Sequence, residues 1–289
     1  MNQGKGLLIG MVCLVAACSN TKQEETVAQN SQTPPSMYDL PETHDYVKAA
    51  KLNVELGLTY LKQEQVARAK SKLLRAKALA PELPEVHYSY GYFLEYVGEI
   101  DAAEKAYQKA VSLNSKGGNE HNNYGAFLCR QHQYRKAEKE FLKAIDDPNY
   151  TNTAEALENA GVCVNQIPDM AKAAEYFEKA LRYDNNRPTA LLELAMIRYQ
   201  DKQYGQANEY HQRYSQIAKP NARYLLLGIE LAKKAGDKNK VASYQLLLNK
   251  QFPESAKAKL STTTKLSAGP KLNTQAKEET AARLRTARL

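Results

Sequence analysis

Small residues recur along this chain at Gly57, Gly91, Gly125, Gly161, Ala195 and Gly228, spaced 34, 34, 36, 34 and 33 apart. A second series, Ala69, Ala103, Ala137, Ala173, Ala207 and Val241, follows the first by twelve or thirteen residues each time. Two series held in register restrict the fold to stacked copies of one small unit. A unit this short cannot bury its apolar face alone, and stacking supplies the missing surface.

The surrounding residues predict what the unit is. Four places after the second small residue stand Leu73, Tyr107, Phe141 and Phe177, and seven places after it Ala76, Ala110, Ala144 and Ala180. Two helices packed closely explain the spacing: the first small residue lets helix A approach helix B, and the large side chain fills the space between hairpins. Pro81, Pro148, Pro188, Pro220 and Pro253 are expected to stop the B helices. These marks resemble the tetratricopeptide repeat. The expectation is an all-α superhelix of six hairpins over residues 46–256, with His211 and Gln245 replacing the aromatic in the last two units.

The first residues read as an address. "MNQGKGLLIGMVCLVAAC" has Lys5, an apolar run from Gly6 to Ala17 too short to cross a bilayer, and Val15-Ala16-Ala17-Cys18 at its end. This resembles a bacterial lipobox, which implies removal of residues 1–17, a lipid on Cys18 and, with Ser19 following, sorting to the outer membrane. Residues 18–45 are polar and rich in Gln, Thr and Pro, a flexible tether whose reach is about 30 Å. Net charge is +8. Much of it lies at the C-terminal end, where residues 256–289 hold eight basic residues and two acidic, the composition of a disordered tail.

Of four cysteines, Cys13 leaves with the signal segment and Cys18 takes the lipid, leaving Cys129 ("NNYGAFLC", 122–129) and Cys163 ("ENAGVC", 158–163). Both follow the small glycine of helix A in neighbouring units. Neighbouring helices lie 8–10 Å apart, within bridging range, and an exported chain meets an oxidising space. A Cys129–Cys163 disulfide is expected; the alternative is a pair of buried thiols acting as small apolar side chains.

In a tetratricopeptide superhelix, the second, fifth, ninth and twelfth places of helix A line an inner groove. Here these include Val54, Leu58 and Leu61, then Tyr88 and Tyr92, with Tyr96 beside them, then the polar Asn122, Glu158 and Asn165, and finally Leu192, Met196 and Tyr199. With Leu56 and Tyr60 assigned to the core, the first helix is apolar on two faces. Either a partner's helix or peptide occupies the groove, or "MYDL" (37–40) or the C-terminal tail covers it. No glycine-rich phosphate loop and no HExxH occurs, and five histidines are scattered. The expectation is therefore no catalytic residue, no metal site, no cofactor beyond lipid, and neither nucleic acid nor small molecule as ligand.

The lipobox, tether, six repeats and the runs "NNYGAFLC", "ENAGVC" and "DPNY" together resemble the type IV pilus biogenesis and stability lipoproteins, the PilF/PilW family. The resemblance implies a pilotin: a lipid-anchored protein on the periplasmic side of the outer membrane that binds secretin subunits and promotes their localisation and multimerisation, on which surface pili and twitching motility depend. The groove residues Val54, Leu58, Leu61, Tyr88, Tyr92 and Asn122 are the candidate contact for such a partner. Another envelope adaptor, for cell-wall enzymes or β-barrel assembly, is the alternative.

Overall fold

The computed structural model describes residues 43–256 apart from Pro168, all within the unit Glu42–Leu289. The lipid site Cys18, residues 1–17, the tether up to residue 42 and the tail from residue 257 lie outside the described residues.

Among the described residues, twelve α-helices of a dozen residues or more follow one another as six hairpins. They are α1 (Thr43–Lys62) with α2 (Val66–Leu79), α3 (Pro84–Tyr96) with α4 (Ile100–Leu113), and α5 (Gly118–Arg130) with α6 (Tyr134–Ile145). Then come α7 (Thr153–Val164) with α8 (Met170–Tyr183), α9 (Pro188–Gln200) with α10 (Tyr204–Ile217), and α11 (Ala222–Lys234) with α12 (Lys238–Gln251). Helix A of the first hairpin begins at Thr43, three residues ahead of the expected boundary at 46.

The turn inside the hairpin repeats in five of the six units. Glu64, Gly98, His132, Lys202 and Gly236 all have positive φ, between 59° and 84°. At each of these turns the next residue's N–H reaches back to the helix carbonyl five places earlier, as from Gln65 to Tyr60 at 2.9 Å and from Gln133 to Leu128 at 2.9 Å. This is the Schellman closure, which satisfies carbonyls that the helix end leaves open.

The packing follows from the two series. A Cβ placed on Gly125 would come within 2.9 Å of the Phe141 ring, and one on Gly161 within 2.7 Å of Phe177. Leu73, Tyr107, Phe141 and Phe177 are all buried. At Gly228 the neighbours are Tyr244 and His211, so Tyr244 fills the space that the Gln245 register would have left empty. The prolines divide differently from expectation. Pro81, Pro148, Pro220 and Pro253 follow B helices, but Pro188 opens α9, where its missing N–H costs no helix bond.

Each B helix packs against its own A helix and, for all but α12, against the next one, and successive A helices also touch from α1 through α11. No two B helices approach so extensively among the described residues. The A helices therefore line the inner side of the stack.

Candidate partner-binding face

The inner face is a set of rows, one residue from each A helix. The fifth-place row is Val54, Tyr88, Asn122, Glu158, Leu192 and Leu225, and five of the six are buried. Val54 and Leu61 are each 2% exposed and share a core cluster with Val86 and Phe93 of α3. This corrects their assignment to an open groove. In the first unit the fifth and twelfth places lie beneath α3, whose packing covers them. Leu192 and Met196 are likewise buried, and Leu56, expected in the core, is exposed.

The polar middle of the row is also closed. Asn122 accepts a hydrogen bond from Asn159 at 3.1 Å. Glu158 accepts from Nε and Nη2 of Arg187 at 3.1 and 3.0 Å and from the Ala190 N–H at 3.2 Å. Asn165 donates to Glu193, which also receives Arg223. Each carboxylate meets a guanidinium about one unit along the chain. Sequence reasoning took Glu158 and Asn165 as groove lining and missed the arginines. The available signal was a Glu in a row with several apolar members and an Arg about one period later.

What stays accessible is the ninth-place row at the first units: Leu58, Tyr92, Ala126 and Val162, with Tyr88 and Tyr96 of α3 beside them. Tyr92 is 46% exposed and the others are half-buried. Burial pushes the Tyr88 and Tyr96 phenols above their ordinary range, so both stay neutral at physiological pH. The row thus offers apolar area with uncharged hydroxyls, the surface that interface cores favour.

Cys129 and Cys163 form a disulfide, with Cα atoms 5.7 Å apart. They stand on α5 and α7, so the bond joins the third hairpin to the fourth. The histidines whose side chains are described have local partners. His87 meets the Pro81 carbonyl, His121 meets Glu140 and the Ser115 carbonyl, His132 meets the Tyr134 hydroxyl, and His211 meets the Tyr224 carbonyl. Among the described residues no group of three His, Cys, Asp or Glu is placed to hold a metal ion. No described helix is long and apolar enough to cross a membrane.

Stacked hairpins with this packing define a tetratricopeptide-repeat solenoid, and tetratricopeptide family models match residues 84–116 and 128–188. The chain is 36% identical over 202 residues to the type IV pilus assembly protein PilF of Pseudomonas aeruginosa, covering 70% of this chain and 80% of that one. An uncharacterised protein of Haemophilus influenzae is 35% identical over 139 residues, 48% of this chain and 78% of its own length. Among solved structures, P. aeruginosa PilF superposes with a TM-score of 0.69 at 33% identity, covering 75% of this chain and 99% of that one. PilW, a type IV pilus biogenesis factor, gives 0.65 at 26% identity over 73% and 98%. This chain belongs to the PilF/PilW family of type IV pilus tetratricopeptide proteins.

Proposed function

We propose that this protein acts in type IV pilus biogenesis as an outer-membrane pilotin, anchored through lipid on Cys18, that binds secretin subunits and promotes their assembly. The observation carrying the reading is the kinship with PilF along most of the chain. The open row of Leu58 and Tyr92 supplies a surface suited to a protein partner. The mechanism is physical. Lipid holds the scaffold at the membrane, the inner face holds the subunit, and confinement raises the subunit's local concentration where rings form.

The test uses cells lacking this protein and complemented with the wild type, Cys18→Ala or Tyr92→Glu. Inner and outer membranes are separated and secretin multimers are blotted. With the wild type, multimers appear in the outer membrane. With Cys18→Ala they are lost or move to the inner membrane. Tyr92→Glu keeps the anchor and the fold but lowers multimer yield, because a carboxylate enters the contact surface. Secretin assembly indifferent to all three sinks the pilotin reading, and co-purified cell-wall hydrolases or barrel-assembly proteins would then favour an adaptor role.

A further inference from the structure

Helix α2, on the outer side of the first hairpin, carries five cations, Arg68, Lys70, Lys72, Arg75 and Lys77, and no carboxylate. The other outer helices differ. On α4, Lys105 and Lys109 stand with Asp101 and Glu104. Carboxylates are set among the bases of α6, α8 and α10 as well. The three lysines of α12 follow Asp237, which caps that helix and pairs with Lys240 at 3.5 Å.

Among the described residues none of the five α2 cations forms an ion pair. Arg68 donates to the neutral Gln65 and stands over the Tyr60 ring, and Lys77 stands over the Tyr90 ring, so neither charge is cancelled. The carboxylates of the neighbouring elements are placed elsewhere. Asp45 and Glu55 lie on the side of α1 turned away from Gly57, which packs on Leu73. On α3, Glu85 faces Lys51 and Glu55, and Glu95 holds Arg130. Glu82, beyond the end of α2, is engaged by Lys109. Glu64 in the turn before α2 and Glu99 in the turn before α4 flank one end of the helix.

The cations form two rows. Lys70 and Lys77 stand two helical turns apart on the side toward α3, and Arg68 and Arg75 do the same on the side toward α1, with Lys72 beside them. Between the rows runs an exposed arc of Ala67, Ser71, Leu74 and Ala78, in which Leu74 is 42% exposed. A leucine between rows of Lys and Arg suits the boundary of a charged bilayer. The cations meet lipid phosphates while the leucine enters beside the acyl chains.

We propose that the outer face of α2 docks on an anionic lipid surface, with the helix lying along the bilayer, Leu74 inserted and the two basic rows on lipid phosphates. The proposal rests on the lipid anchor of the reading above and not on its secretin contact. One leucine adds little, so the contact is electrostatic and holds because the anchor keeps the chain close. The tether is a poorer occupant. Asp39 and Glu42, its carboxylates next to α1, are two against five cations, and Glu24 and Glu25 lie close to Cys18 in sequence. Docked in this way, the first hairpin turns its inner side, with Leu58, away from the membrane and leaves it open to a partner.

The test uses the lipidated chain in phosphatidylcholine vesicles with or without phosphatidylglycerol. Leu74→Cys carries an environment-sensitive dye, and lipids spin-labelled on the acyl chain act as quencher. Leu142→Cys, 40% exposed on α6, is the control. The expected result is quenching at position 74 when phosphatidylglycerol is present, weakened by added salt, and little at position 142. Arg68→Gln with Arg75→Gln lowers the docked-to-free ratio roughly thirtyfold, at about fivefold per charge. Arg68→Lys with Arg75→Lys preserves it, which separates charge from any effect on the fold. Flotation with vesicles of either composition reports the anchor. A chain that floats without quenching at position 74 overturns the docking alone, and one that does not float overturns the anchor and the docking together. Quenching that is equal at both positions, or independent of phosphatidylglycerol, also overturns the docking. A dye already shielded in detergent, and released by Asp39→Asn with Glu42→Gln, would overturn it by assigning α2 to the chain's own tether.

Discussion

Arg130 grips Glu95 with two hydrogen bonds, Nε and Nη2 each 2.7 Å from a carboxylate oxygen, across 35 residues of sequence. The Glu95 side chain is 1% exposed and that of Arg130 is 18% exposed. The pair joins α3 to α5, so it binds successive hairpins and not the two helices of one. Glu158 with Arg187 and Glu193 with Arg223 repeat the device further along the stack. Such pairs are weak sources of net stability but costly to break singly.

Arg130→Met therefore lowers unfolding free energy by about 3 kcal/mol, because the buried Glu95 loses two charge-assisted hydrogen bonds. Glu95→Leu combined with Arg130→Met recovers most of that loss. Urea denaturation of the two variants decides it. Equal losses from the single and double variants would mean that shape, and not charge pairing, matters here.

The disulfide closes a loop of sequence separation 34. Loop-closure entropy predicts that Cys129→Ser with Cys163→Ser costs about 3–4 kcal/mol. The reduced wild type should match the double variant in thermal unfolding. A reduced wild type as stable as the oxidised one would contradict this.

Two helical glycines should respond oppositely to alanine. At Gly161 a Cβ would press on the Phe177 ring at 2.7 Å, so Gly161→Ala costs about 1–3 kcal/mol. At Gly205 nothing lies within 4 Å, so Gly205→Ala is expected to stabilise by about 0.5 kcal/mol. Paired melting curves test the contrast.

Two buried histidines have opposite pH signatures. The hydrogen bond to Glu140 holds the His121 pKa above its ordinary value, against the effect of burial. Its stabilisation is complete below about pH 6.5, the unfolded value, and fades as pH rises through the folded one. For Glu140, burial pulls upward, but the His121 and Lys143 hydrogen bonds prevail and the carboxyl is held low. Its share is present above the usual carboxylate range and is lost on acidification through the depressed folded value. His121→Gln should thus cost more stability at pH 5.5 than at pH 8.5. At His211 burial lowers the pKa, and its stability is lost as pH falls through about 6.5. His211→Phe should flatten the acid side of the stability curve. Stability measured from pH 5 to 9 separates the two, and parallel shifts would refute the assignment.

The hairpin register was readable because it rests on sterics within one unit. A glycine opposite Phe141 or Phe177 has a local cause, and the period repeats it. Cys129 and Cys163 were legible as a pair for the same reason, since neighbouring units place equivalent residues side by side. The faces of helix A were not readable in this way. Helical periodicity shows that a stripe is apolar without showing which neighbour covers it, so Val54 and Leu61 read as groove and Leu56 as core where the structure reverses both. Glu158 reads as a polar lining in the sequence, whereas the fold brings Arg187 onto it.

The sequence by itself determined six hairpins, their packing residues and a bridgeable pair of cysteines, since each depends on contacts inside a unit or between equivalent places of adjacent ones. Only the tertiary structure decided which surfaces remain open. Exposure depends on whether another helix lies across a given row, and that follows from the stacking angle between units and from where the stack ends. The next A helix covers Val54 and Leu61, Leu58 and Tyr92 remain accessible, and Leu52 stands free because no described hairpin precedes it.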